Sequence, residues 1–238
     1  MIEVERLTVR FGGVTPLDSV TLTFPEGTCG LIGPNGAGKT TFLNVLSGFV
    51  RPLAGSVRAF GEDLLRITDF RRARWGLRRT FQQEQAIDRL SVFDNVGLVH
   101  EHCGGDRASR RRDVVRALEF IGLELLADEP VGNLSAHHRR LVEVARAVVG
   151  RPRVVLLDEP AAGLPDEETE HLGQVIQRIP EQLGALVVLV DHDMSLVSAC
   201  CLTTAVLDFG RVIASGPTSE VLRDEHVIRA YLGTEAEP

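Results

Sequence analysis

Apolar and polar positions alternate over residues 2–11 and again over 20–24, the period of half-buried antiparallel strands. Pro25-Glu26-Gly27 follows as a turn. Residues 28–32 read as a buried strand that runs straight into a glycine-rich loop, and a helix is expected over 39–46, stopped near Gly48. Strand signals return at 56–60 and 77–81. From 84 to 150 the period changes to that of helices, with Val114, Leu118 and Ile121, then Leu141, Val144 and Val148, in register. Beyond it the pattern predicts strand 154–157, helix 166–179, strand 186–190, helix 194–200 and strand 204–207. Continuously apolar strands alternating with helices mark a parallel sheet covered on both faces. The expected class is therefore α/β: one domain over 1–238, a helical subdomain inserted at 84–150, and a flexible tail at 234–238.

Composition narrows the function classes. At 44% apolar and 25% charged, the 238 residues suit a packed globular chain rather than a disordered or fibrous one. A formal charge of −7 argues against a general nucleic-acid binder, so no nucleic-acid partner is expected. The longest wholly apolar run, 185–190, falls far short of the roughly 20 residues that span a bilayer. Cys29, Cys103, Cys200 and Cys201 have neither C-x-x-C nor zinc spacing and are expected to be free thiols. Lys39 is the single lysine among 26 basic residues, a skew that a GC-rich coding bias accounts for.

Lys39 sits where its chemistry matters. Gly33-Pro34-Asn35-Gly36-Ala37-Gly38-Lys39-Thr40 matches G-x-x-x-x-G-K-[ST] in full, between a strand and a helix. In such a loop backbone N–H groups turn inward around phosphates and the helix N-terminus adds partial positive charge. Lys39 is expected on the β- and γ-phosphates and the Thr40 hydroxyl on Mg²⁺, with Thr41 beside it. The slim ammonium suits this cradle better than the wide fork of an arginine. The run 154–160 then carries Asp158 and Glu159 to the end of a buried strand, Asp158 for Mg²⁺ and Glu159 for the water that attacks the γ-phosphate. ATP and Mg²⁺ are the expected ligands of a P-loop NTPase core.

With these motifs the chain resembles the ATP-binding subunits of ABC transporters over nearly its whole length. The resemblance implies the ABC ATPase fold, with an N-terminal antiparallel β subdomain and a helical insertion. It places Phe11, before Gly12-Gly13, on the adenine. It makes Arg79-Thr80-Phe81-Gln82 the glutamine loop, with Gln82 at Mg²⁺ or water, and sets His192 of Asp191-His192-Asp193-Met194 near the γ-phosphate. Within that family the chain is most similar to the branched-chain (hydrophobic) amino-acid uptake ATPases, on the runs 11–14, 33–41, 79–82, 158–164, 192–197 and 227–233. A lipid-export ATPase, a regulatory ATP-binding module and a catalytically weak partner in a heterodimer are the alternatives. The partners implied are transmembrane permease subunits, a second ATP-binding subunit and, indirectly, a solute-binding protein. The implied location is the cytoplasmic face of the cell membrane, held there peripherally.

Two positions depart from the family pattern. The signature segment is Leu134-Ser135-Ala136-His137-His138, where Ser135 is implied to reach the nucleotide of the opposite subunit. An imidazole at His137 is expected to crowd that approach, unless His137 or His138 supplies a substitute donor. Pro165 stands where a polar residue is usual and lacks an N–H. These changes predict a weakened half-site. Arginines cluster at Arg71, Arg72, Arg74, Arg78 and Arg79 and at Arg107 and Arg110 to Arg112, either as solvated faces or as a docking surface for the membrane subunit.

Overall fold

The computed structural model describes residues 1–232; the tail at 234–238, and Gly233 of the 227–233 run, lie outside the described residues. The N-terminal sheet is antiparallel, in the order β2-β1-β4-β5, from β1 (Ile2–Phe11), β2 (Val14–Phe24), β4 (Ala54–Ala59) and β5 (Glu62–Asp63). Between them come β3 (Thr28–Ile32) and α1 (Lys39–Ser47), and after them α2 (Asp69–Trp75) and β6 (Leu77–Arg79). Three helices then form the insertion, α3 (Val92–His102), α4 (Arg110–Ile121) and α5 (Ala136–Val148). The remaining chain alternates: β7 (Val154–Asp158), α6 (Asp166–Leu183), β8 (Leu186–Val190), α7 (Met194–Cys200), β9 (Thr203–Asp208), β10 (Arg211–Pro217), α8 (Thr218–Val221) and α9 (Glu225–Leu232).

The second sheet has the order β10-β9-β3-β8-β7-β6. Its pairings from β9 through β6 are parallel, and β10 is an antiparallel edge. Successive side chains on its strands divide between two cores, as the two-residue period of a strand requires. Val154, Leu156, Val188 and Val190 pack with Phe42 and Leu46 of α1 and with Val4 and Leu7 of the antiparallel sheet. Val155, Leu157, Val187 and Leu189 pack instead with α5, α6 and α7, and that core continues into α3 and α4. The sheet is thus the middle layer.

Several boundaries differ from the sequence pattern for local reasons. β2 starts at Val14 rather than 20, because pairing with β1 continues past Val20, with Leu17 opposite Val9 and Val14 opposite Phe11. β6 ends at Arg79 rather than 81, where the Thr80 side chain turns to accept the backbone N–H of Asp158. α6 was expected to stop before Pro180 but continues to Leu183, with the Pro180 carbonyl accepting from the Gly184 N–H. α2 is mostly charged, and β10 is a short edge strand with no fully buried residue that runs into Gly216-Pro217, so neither stands out in the pattern. The cysteines are free thiols, as expected. Among the described residues no helix is long and apolar enough to cross a membrane.

Leu189 is fully buried on the helix-covered face. Leu189→Ala is expected to lower unfolding free energy by about 2–5 kcal/mol in urea titrations, and a loss below about 1 kcal/mol would contradict this two-faced core.

Candidate active site

Four neighbouring parallel strands end at one edge. β3 enters the loop of Gly33 to Gly38, β8 leads to Asp191 and His192, β7 ends at Asp158 with Glu159 next, and β6 continues to Gln82. Ligands of open parallel sheets bind beyond the carboxyl ends of strands, at the point where chain order reverses. Here that point is β3, flanked by β8 on one side and β9 on the other.

The loop is shaped by glycines that admit no side chain. Gly33 and Gly38 have φ of 147° and 107°. A Cβ at Gly33 would strike the Leu207 carbonyl oxygen, and one at Gly38 the Pro16 carbonyl oxygen. The chain therefore lies close against the backbone of β9 and β2. Lys39 is buried, and its Nζ donates to the carbonyls of Gly33 (2.5 Å) and Pro34 (3.0 Å). Burial pushes the Lys39 pKa down, and the nearby charges of Glu159 and Asp158 oppose that shift. Asn35, Gly36 and Thr40 are exposed at the rim, Thr41 is half-buried and Pro34 and Ala37 are buried beneath. Phe11, at the tip of the β1–β2 hairpin, is 54% exposed.

The end of β6 and the segment after it bind the end of β7 at three successive levels. Arg79 Nη2 meets Asp158 Oδ2 at 2.8 Å, with the two side chains only 5% and 6% exposed. The Thr80 hydroxyl accepts from the Asp158 N–H at 3.2 Å. Gln82 Nε2 donates to Glu159 Oε2 at 2.9 Å, while His192 Nε2 lies 2.8 Å from Glu159 Oε1. Of the three residues expected to handle water and γ-phosphate, Gln82 and His192 thus meet on the carboxylate of the third, Glu159. Glu159 holds a left-handed φ of 50°, and its N–H donates to Val190 O at 2.7 Å. A non-glycine residue in that region is strained, and such strain collects at functional positions.

Asp191 ties the β7 and β8 ends together. Its Oδ1 accepts the N–H groups of His192 (2.8 Å) and Asp193 (3.0 Å), and its Oδ2 that of Ala161 (3.2 Å). Burial raises the Asp191 pKa, and these three backbone hydrogen bonds pull it back.

The donor set fits the expected ligands. A cradle that a Cβ would fill, a buried ammonium and a helix N-terminus suit a chain of phosphates. The Thr40 hydroxyl, the Asp158 carboxylate and the Gln82 amide offer the oxygen donors a hard cation such as Mg²⁺ prefers. Among the described residues no cluster of three His, Cys, Asp or Glu could hold another metal.

Residues 17–162 match the family model described as "ABC transporter". The chain belongs to the ABC transporter ATP-binding family. Residues 211–237 also match "Branched-chain amino acid ATP-binding cassette transporter". Relatives include the high-affinity branched-chain amino acid transport ATP-binding proteins BraF of Pseudomonas aeruginosa and LivG of Escherichia coli, each 34% identical with 98% of both chains covered. Among solved structures, the ADP conformation of MJ1267, an ATP-binding cassette of an ABC transporter, superposes with a TM-score of 0.88 at 26% identity over 98% of each chain. CbiO1 of Clostridium perfringens, part of the ABC transporter complex cbiONQ, gives 0.84 at 26% identity over 98% of each. This ABC ATPase fold is the one that the motifs implied.

At the ABC signature the structure corrects one expectation. His137 does not project into the approach to Ser135: it is buried, with Nε2 2.8 Å from His171 Nδ1 on α6. That orientation also removes His137 as a substitute donor. Ser135 is exposed and caps α5, its Oγ accepting the His138 N–H at 3.3 Å. Pro165 stands before the first turn of α6, where its carbonyl accepts from the Thr169 N–H.

The arginine clusters divide. Arg72 is buried and donates to the carbonyls of Val45 and Leu46 at the end of α1, Arg79 belongs to the active site, and Arg110 pairs with Asp94 and Glu101. Arg74, Arg78 and Arg112, joined by Arg116 and Arg151, line a cavity of about 650 Å³ between α2 and the helical insertion. Trp75 does not line the cavity; half-buried at the edge of the N-terminal core, it donates its indole N–H to Glu62 and carries Arg153 stacked on its ring.

Sequence reasoning passed over Arg79 as an active-site residue, and with it Thr80, Asp191, and Asn44 and Ser47 of α1. The one signal was spacing: Thr40, Asn44 and Ser47 recur at helical intervals on one face of α1.

Burial, and then the neighbouring His171, lower the His137 pKa below its ordinary 6.5, with Glu168 opposing. The unfolded chain therefore takes up a proton that the folded chain resists. The stability contributed by neutral His137 is complete above pH 6.5 and declines as the pH falls through the lowered folded value. Denaturation midpoints compared at about pH 7.5 and about pH 5.5 should differ less in His137→Leu than in the unaltered protein, and an equal difference would contradict this assignment.

Proposed function

We propose that this ABC ATP-binding subunit powers import of branched-chain amino acids or closely related small solutes. It would work as a dimer with a second ATP-binding subunit, beneath transmembrane permeases on the cytoplasmic face of the membrane, and receive solute through a binding protein. The observation that carries the catalytic half of this reading is the meeting of Gln82 and His192 on the two oxygens of Glu159, beside the phosphate loop. The transport half rests on the match of residues 211–237 and on the relatives BraF and LivG.

In this mechanism Phe11 stacks on adenine, and the loop from Gly33 to Thr41 holds the phosphates through backbone N–H groups. Lys39 Nζ leaves the Gly33 and Pro34 carbonyls for the β- and γ-phosphate oxygens, exchanging two neutral acceptors for charged ones. Thr40, Asp158 and Gln82 would hold Mg²⁺, which when bound compensates the phosphate charge. Glu159 orients the attacking water and accepts its hydrogen bond. His192 and Gln82 fix the carboxylate that does so, which is what phosphoryl transfer asks of a protein: position and charge compensation.

The signature half-site is weaker than the family norm. Ser135 remains available to the opposite subunit's nucleotide, but Ala136-His137 carries Cβ atoms where glycine permits the closest backbone approach, and Pro165 offers no N–H. The arginine-lined cavity beside the helical insertion is the docking place for a permease segment.

The test is hydrolysis in vesicles that contain the chain with its permeases and binding protein. Leucine, isoleucine or valine is expected to stimulate phosphate release several-fold. Stimulation by an unrelated solute alone would overturn the transport half, and failure to associate with any permease would overturn the subunit role.

A further inference from the structure

The Arg79 guanidinium does more than pair with one carboxylate. Nη2 holds Asp158 Oδ2 at 2.8 Å, while Nη1 donates to Asn44 Oδ1 at 2.7 Å and reaches Ser47 Oγ at 3.4 Å. Its plane also lies 4.9 Å from the ring centre of Phe81. One planar fork therefore joins the end of β7 to the side of α1, and its direction is set by four neighbours. Asn44 and Ser47 share their helix face with Thr40, four and seven residues earlier. Since α1 is rigid over this short span, fixing Asn44 relative to Asp158 also fixes Thr40 relative to Asp158.

We infer that Arg79 is a positioning residue for the cation site, setting the separation of Thr40 and Asp158 and turning the Asp158 carboxylate so that Oδ1 is left for the metal or its water. This rests on the ATP and Mg²⁺ reading above. Arg79 does not touch the nucleotide; it acts through the two groups it braces. A guanidinium suits the task because its two terminal nitrogens serve two elements at once, whereas a lysine ammonium has one point of charge on a flexible stem. A mobile placeholder, filling the cation position until Mg²⁺ arrives, would not be bound to Asn44 and Ser47 and stacked on Phe81. With its anchors outside the carboxylate, Arg79 stays in place when the cation binds.

The test separates the cation from the nucleotide. ATP affinity of the full chain is measured by calorimetry in EDTA and again in MgCl₂, for the unaltered protein and for Arg79→Lys, Arg79→Met and Asn44→Ala. In the unaltered protein Mg²⁺ strengthens ATP binding. The expected result in Arg79→Lys and Arg79→Met is that this Mg²⁺-dependent gain falls by about tenfold, with affinity in EDTA kept within about twofold; Asn44→Ala, which cuts only the link to α1, falls by a smaller factor. Arg79→Met leaves a buried carboxylate without its partner and is the variant at risk of unfolding. Arg79→Lys and Asn44→Ala then decide the matter alone. The proposal is overturned if both keep the full gain, if Mg²⁺ binds more tightly once Arg79 is replaced, or if affinity in EDTA drops as much as affinity in Mg²⁺. Absence of any Mg²⁺-dependent gain in the unaltered protein would instead overturn the nucleotide reading on which the proposal stands.

Discussion

A parallel sheet buried on both faces can keep almost nothing polar along its strands, and this constraint organises the molecule. β3, β7 and β8 are buried along their whole length, so ionisable groups have to wait for the strand ends. Four neighbouring strands stop at the same edge, and there Lys39, Asp158, Glu159 and His192, with the Gln82 segment, come within reach of one another. The chemistry is concentrated because the core excludes it everywhere else. Asp158 shows the limit of that exclusion: it is the last residue of β7 and buried, and Arg79 meets it from the neighbouring strand.

From this edge a chain of polar contacts runs outward to the helical insertion. Beyond Gln82, the Gln85 N–H donates to Glu143 of α5, and Arg139 of α5 pairs with Glu84 and Asp88. Arg140, on the same helix, donates to the Ala162 carbonyl just after the carboxylate pair. The helix that presents Ser135 is thus fastened both to the glutamine loop and to the segment that follows Glu159. The same segment meets the carboxylates at one end and holds α5 at the other, so the strand-end site and the helical insertion are joined by one short stretch of chain. The His137–His171 contact locks α5 to α6 along the way.

What was legible in the sequence was whatever a local rule governs. The phosphate loop needs glycine where φ is positive and a Cβ has no room, so it can be read from spacing alone. Strands β3, β7 and β8 are legible because double-sided burial leaves an unbroken apolar run. β10 and α2 were hidden because an amphipathic edge strand and an arginine-rich helix resemble loop. Arg79 was hidden for a different reason. Its meaning depends on Asn44, 35 positions earlier, and Asp158, 79 positions later, contacts that only the fold creates. His137 misled because sequence gives its place on α5 but not its direction, and the imidazole turns inward to His171.

In the proposed mechanism everything converges on Glu159, which directs water at an ATP held by the phosphate loop. The direct measurement is steady-state phosphate release by the full chain with Mg²⁺ and ATP, set beside ATP affinity, for the unaltered protein and Glu159→Gln. In Glu159→Gln the rate is expected to fall by about a hundredfold or more, with affinity held within about threefold, since the amide keeps the shape but not the basic oxygen. An unchanged rate, or a loss of affinity that matches the loss of rate, would contradict that mechanism.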